Sequence, residues 1–178
     1  VPFQSAQVAT TPLSPELKAS VMPSECAVSD SRRSLLYFRR SPDGRFLMGG
    51  RGGVLGLTGE RHWGYLRHVS EKIFPQLKGI RWDHAWAGTV ALTPDHLPHL
   101  YEPDPKIHIG LGYNGRGVAM ATAFGKLLAD RVLGLRNSEF PVPITDVQPI
   151  SLAPFRRLGA AALSKWYRMQ DDGELREA

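Results

Sequence analysis

The sequence predicts an α+β fold with a mostly antiparallel sheet. A hairpin is written into residues 34–50, further strand-like segments follow at short spacing, and the two clearest helices stand singly between strands. That order (strand, hairpin, helix, strands, helix) is not the regular alternation that builds a parallel sheet.

Each element has a local reason. Residues 3–13 read as an extended segment ending at Thr11-Pro12-Leu13, and residues 14–33 as a polar, turn-rich excursion. Residues 34–40 and 45–50 are the hairpin strands, joined by Ser41-Pro42-Asp43-Gly44, which has Pro and Gly where a turn wants them. Thr58 can cap a helix over 59–73, with Glu60 in its first turn and Leu66, Val69 and Ile73 on one face. Phe74-Pro75 stops it. Residues 80–92 form a strand whose Trp82 and Trp86 are expected in the core; 97–101 and 106–111 are shorter strands around the turn Glu102-Pro103-Asp104-Pro105.

A second helix is expected over 115–133, stopping at Gly134. Val118, Met120, Phe124, Leu127, Leu128, Val132 and Leu133, with alanines between them, surround it almost completely. Such a helix needs neighbours on several sides. Either the chain self-associates into a homo-oligomer, or another chain covers that surface, or residues 155–170 fold back as a basic amphipathic helix. The tail from 135 begins Pro-rich.

Composition excludes several classes. With 178 residues and 42% hydrophobic content the chain supports one ordinary core or two small lobes. No apolar run is long enough to span a bilayer. Val1-Pro2-Phe3-Gln4 has no signal-peptide features and opens in strand-like sequence, which suggests a fragment or a processed chain. The single cysteine, Cys26, allows no internal disulfide and fits a cytoplasmic setting. The net charge of +5 comes from dispersed arginines without a nucleic-acid-binding module; it suits anionic substrates or peripheral contact with a membrane surface.

The segment Ile107-His108-Ile109-Gly110-Leu111-Gly112-Tyr113-Asn114-Gly115 has the G-x-G-x-x-G spacing after a strand and before a helix. A dinucleotide fold would need a second parallel strand ending in an acidic residue, and a Pro-rich tail follows instead. Two readings stay open. The glycines permit tight strand–helix packing, or they bare the backbone at a helix N-terminus, where amide N–H groups and the helix dipole favour negative charge. The edge of a reduced flavin, with charge over N1 and the C2 carbonyl, is such an anion.

Gly112-Tyr113-Asn114-Gly115-Arg116-Gly117-Val118, with 123–130 after it, resembles the C-terminal flavin segment of the D-amino-acid oxidase superfamily. Phe74-Pro75-Gln76-Leu77, Trp86-Ala87-Gly88-Thr89, Thr93-Pro94-Asp95-His96-Leu97-Pro98 and the tail 149–157 are similar to further segments of its glycine, sarcosine and gamma-glutamylputrescine oxidases, in the same order. The resemblance implies a division at 1–83 (substrate-domain sheet over the flavin), 84–134 (return to an FAD-binding domain whose N-terminal half is absent) and 135–178 (tail). It implies non-covalent FAD, because Gly88 stands where some sarcosine oxidases attach flavin through cysteine, and poor FAD binding by this chain alone.

The implied function is oxidation of the CH–NH group of a small amine or amino acid by hydride transfer to FAD; the alternative is a stable non-catalytic fragment or binding module. Expected flavin contacts are Gly88, Gly112, Tyr113, Asn114, Gly115, Gly117 and Val118, with Tyr113 and Asn114 also bordering substrate; Trp86 is either a core aromatic or flanks the flavin. Arg51 either meets a substrate carboxylate bidentately or is a solvated strand-end arginine. No acid–base dyad is expected, because the cofactor carries the chemistry. Asp95, His96 and His99 are too loosely spaced, around Pro98, to be read as a metal site.

Overall fold

The structure is a computed structural model that describes residues 2–24, 26–52, 59–134, 141–148 and 155–177. The chain forms two compact units: Phe3–Thr89 with Arg157–Ala178, and Val90–Arg156 with Val1–Pro2. The contact boundary between them follows Thr89, a few residues beyond the 83/84 point at which substrate and flavin segments are expected to divide. The strand that crosses that point, Trp82–Ala91, belongs to the first unit's sheet, and Gln4 Nε2 donates to Thr89 Oγ1 at 2.7 Å.

The first unit is built on a five-stranded sheet. In chain order its strands are β1 (Pro2–Pro12), β2 (Val28–Ser29), β3 (Leu36–Arg40), β4 (Arg45–Arg51) and β5 (Trp82–Ala91), arranged β2-β3-β4-β1-β5. The β3–β4 and β1–β4 pairs are antiparallel, and β1 meets β5 the same way, with Thr11 beside Arg81 at one end and Gln4 beside Thr89 at the other. The register of β1 slips between Ala9 and Pro12; the buried Thr10 hydroxyl takes up the Phe46 N–H at 3.0 Å there.

Glycines in β4 let large side chains cross it. Gly49 lies opposite Tyr37, whose ring occupies the space a Cβ would need, and the Tyr37 hydroxyl bonds to Ser5 Oγ. Gly50 admits Leu66 from α2 (Glu60–Ile73). Leu66 and Val69 are buried as the periodicity predicts, but Ile73 is exposed on the last turn, where Phe74 takes its place. Phe74 meets Phe46 and Phe38 edge-on at 5.3 and 5.7 Å, and Trp82 closes the cluster on Phe46 at 6.5 Å. Trp86, expected in the core, is 41% exposed. The helix is capped by Gly59; Thr58 lies outside the described residues.

The excursion at 14–33, expected to be turn-rich, contains a helix, α1 (Pro15–Ser20). Its signals were present: Ser14 accepts from the Leu17 N–H, Pro15 opens the first turn and Glu16 follows.

The second unit holds an antiparallel ribbon of β6 (His99–Asp104) and β7 (Ile107–Leu111), followed by α3 (Gly117–Val132). The strand β6 runs through Glu102 and Pro103, which the sequence reading gave to a turn. Ile144 adds a parallel bridge to Leu100. Glu102 grips the last turn of α3 through Arg131, Oε1 to Nε and Oε2 to Nη2 at 2.9 Å, and accepts a further contact from His108 Nδ1 at 3.0 Å. The Arg131 guanidinium holds the Glu102 carboxyl below its ordinary range.

Helix α3 is sparsely covered within this chain, as expected of a helix that needs further neighbours. Only Phe124 is buried; Val132 and Leu133 are exposed, and Val118 is 96% exposed. The tail helix α4 (Arg156–Glu177) is longer than 155–170 and groups with the first unit.

Candidate functional site

Strand β7 enters the turn before α3 through backbone that only glycine fits. A Cβ on Gly110 would lie 2.7 Å from the Phe124 ring. Gly112 has φ +78°, and a Cβ there would meet Thr93 Cγ2 at 2.5 Å and the Leu97 carbonyl at 3.2 Å. Tyr113 then turns its ring onto Phe124, centroids 5.4 Å apart and nearly perpendicular. The packing reading of these glycines therefore applies to Gly110 and Gly112.

Asn114 is held at φ 51°, a left-handed conformation that asparagine tolerates. Its side chain ties the turn to the preceding loop. Oδ1 accepts from the Thr93 N–H at 2.9 Å, while Nδ2 donates to Thr93 Oγ1 at 3.0 Å and to the Gly112 carbonyl. The amide is thus engaged within the chain, and the geometry gives Asn114 a positioning role. Arg116 adds a second tie, Nη2 to the His96 carbonyl at 2.8 Å. Neither Thr93 nor Arg116 was singled out from the sequence. Thr93 had a signal, its place at the head of the Thr93-Pro94-Asp95 turn; Arg116 had none.

Gly115 and Gly117 behave differently. Gly115 has φ +88°, yet a Cβ there would meet nothing within 4 Å, and one on Gly117 would make only ordinary contact with Tyr113. Helix α3 begins here with no side-chain cap and no acidic residue in its first turn. Among the described residues the amides of Gly117, Val118 and Ala119 have no hydrogen-bond acceptor, the first such bond being Met120 N–H to the Arg116 carbonyl. Open space, unpaired donors and the positive end of the dipole coincide at this point.

The buttressing loop carries its own charge. The Leu97 N–H, donating to Asp95 Oδ1 at 3.1 Å, and the His99 ring, 3.0 Å from Oδ2, hold the Asp95 carboxyl down at about 2. A carboxyl lowered on folding stabilises the fold above its unfolded range, and the contribution is lost as pH falls through the folded value. The loop is therefore expected to stay closed to about pH 3 and to loosen toward about pH 2. The Leu97 amide resonance should titrate with Asp95; a midpoint near an ordinary aspartate value would contradict this.

Gly112, Tyr113, Asn114, Gly115, Gly117 and Val118 thus fall in one turn of the second unit. Gly88 lies on β5 in the sheet unit, with open space at its Cβ position. Arg51 ends β4 in the same unit, with its guanidinium 5.0 Å from the Phe3 ring. Residues 1–131 match the family described as FAD dependent oxidoreductase, DAO. The chain belongs to that family. Its cofactor is FAD, and the turn fits one: unpaired amides and glycine-bared backbone suit the anionic edge of an isoalloxazine ring.

Relatives within the family agree. The chain is 33% identical over 135 residues to a probable oxidoreductase OrdL of Haemophilus influenzae, covering 75% of this chain and 30% of that protein. It is 34% identical over 137 residues to the gamma-glutamylputrescine oxidoreductase of Escherichia coli, covering 75% and 32%. The chain therefore spans about a third of the length of these relatives. Two solved structures share the fold. L-proline dehydrogenase from P. horikoshii has TM-score 0.61 and 23% identity, covering 80% of this chain and 37% of that one. Glycine oxidase from Geobacillus kaustophilus has TM-score 0.59 and 20% identity, covering 86% and 38%.

Proposed function

We propose that this chain supplies the flavin-facing turn and the substrate-side sheet of an oxidoreductase that oxidises the CH–NH group of an amine or amino acid. Bound FAD would supply the two-electron acceptor for a hydride from the carbon that bears nitrogen. The chain's own residues bind and orient. The amides of Gly117, Val118 and Ala119 would hold the anionic edge of the bound ring, and their fixed position would favour negative charge there. Thr93, Asn114 and Arg116 keep that amide cluster rigid. Arg51 meets the substrate's carboxylate where it has one. Binding is non-covalent, with Gly88 giving the backbone close approach. In this reading residues 1–83 serve substrate, 84–134 serve the flavin, and the ADP end of FAD is held by a part of the protein that corresponds to the uncovered length of the relatives.

The observation that carries the proposal is the pairing of unbonded amides with open space at Gly115. Gly115→Asn in the complete protein tests it, because asparagine tolerates the left-handed backbone and its side chain meets nothing in this chain. Thermal stability of the flavin-free form should fall only by the modest strain of asparagine at a φ of +88°. FAD affinity or the flavin potential should worsen by about 1–2 kcal/mol, the scale of a displaced helix terminus. Unchanged flavin content and potential would count against the placement.

A further inference from the structure

Helix α4 is fixed to the sheet unit along one face. Asp171 on it is only 6% exposed, and its carboxylate accepts from the Arg33 N–H at 3.1 Å and the Ser34 N–H at 2.9 Å. The Arg33 guanidinium adds an ion pair at 3.5 Å. One turn earlier, the Tyr167 ring lies 5.9 Å from the Arg51 guanidinium. Tyr167 and Asp171 share a face at i and i+4, so these contacts set the rotation of the helix about its axis.

Among the described side chains, the opposite face carries an exposed apolar stripe. Leu158, Trp166 and Met169 are 63%, 52% and 63% exposed, and with Ala162 they form a continuous stripe at helical spacing. Lys165 is exposed beside Trp166 in sequence. Residues 155–170 contain Arg156, Arg157, Lys165 and Arg168 and no acid; the acidic residues of the helix, Asp171, Asp172, Glu174 and Glu177, all come later. No described helix is long and apolar enough to cross a membrane. A helix with an apolar stripe, a basic segment and a tryptophan lies in the plane of a lipid surface. The stripe alone suits any apolar partner. The unbroken basic segment selects an anionic one, and tryptophan is the side chain that favours the headgroup level.

We propose that α4 docks the protein on an anionic bilayer. Leu158, Trp166 and Met169 enter the headgroup–acyl boundary, Lys165 meets lipid phosphates, the positive charge of the 155–170 sequence favours an anionic surface, and Asp171 is the latch that keeps the stripe turned outward. The inference does not rest on the flavin reading.

The complete protein is tested by sedimentation with vesicles of phosphatidylglycerol and phosphatidylcholine. It should sediment with the mixed vesicles at low salt, much less at high salt, and not with phosphatidylcholine alone. Trp166→Ser with Met169→Ser should weaken binding by about tenfold or more. Both side chains are half exposed, so the circular dichroism spectrum should be unchanged. Asp171→Ala should raise amide exchange along α4 by about tenfold, the loss of its buried hydrogen bonds. Equal sedimentation of the double variant, no preference for anionic vesicles, or a wild type that self-associates through the stripe without binding lipid would overturn the docking; unchanged exchange in Asp171→Ala would overturn the latch.

Discussion

Gly112→Ala is expected to destabilise the second unit by about 2–4 kcal/mol and to remove FAD binding with it. Two costs add at this position. The φ of +78° is one that alanine adopts only under strain, and the new Cβ would be driven into Thr93 Cγ2 and against the Leu97 carbonyl. The methyl of Thr93 can move only by releasing its hydroxyl from Leu97 and Asn114, which are the ties that shape the turn. A chemical melt followed by amide exchange over 93–118 measures the loss. A stable variant with native flavin content would show that the turn has room the coordinates deny it. Gly115→Asn is the contrast: a Cβ at Gly112 would clash within the chain, whereas one at Gly115 meets nothing and probes what binds beside it.

Phe124→Ala should cost about 3–5 kcal/mol, the usual range for emptying a buried phenylalanine site. The effect is concentrated because the second unit has little else. Among its described residues the buried hydrophobic side chains are Phe124 and Leu100. Phe124 also supports Tyr113 and closes over Gly110, so its loss frees both β7 and the first turn of α3. Exchange along α3 should rise toward the unprotected rate while β1, β3 and β4 stay protected, and Phe124→Leu should recover most of the difference. Protection of α3 that survives Phe124→Ala would mean that the helix is held by other contacts.

The same side chain illustrates what the sequence could and could not convey. Its place on an apolar helix after a glycine-rich turn was legible, as were the hairpin, the stop at Gly134 and the α+β order. Periodicity reports which residues avoid water, not what covers them. The apolar residues around α3 therefore call for neighbours without naming them, and Val118, Val132 and Leu133 stand exposed within this chain. Helix α1 was lost for the opposite reason. It buries no residue of its own, so its only signal was the Ser14-Pro15-Glu16 cap in a stretch otherwise rich in turn formers. At the site, the glycines were visible because their spacing is a pattern. The ties that give them shape, Thr93 to Asn114 and Arg116 to the His96 carbonyl, span about twenty residues and involve a main-chain acceptor that no pattern marks. The boundary after Thr89 was hidden likewise, since only pairing with β1 shows where β5 belongs.

In the proposed function this chain faces a non-covalent flavin that accepts electrons from a carbon–nitrogen bond. The visible spectrum of the complete protein, recorded anaerobically before and after addition of amines and amino acids, tests it most directly. A flavin band that is bleached by an amine or amino acid, and that is released free when the protein is denatured, is the predicted result. A protein purified without flavin, a band bleached only by donors lacking a C–N bond, or flavin that stays attached to the denatured chain would contradict it.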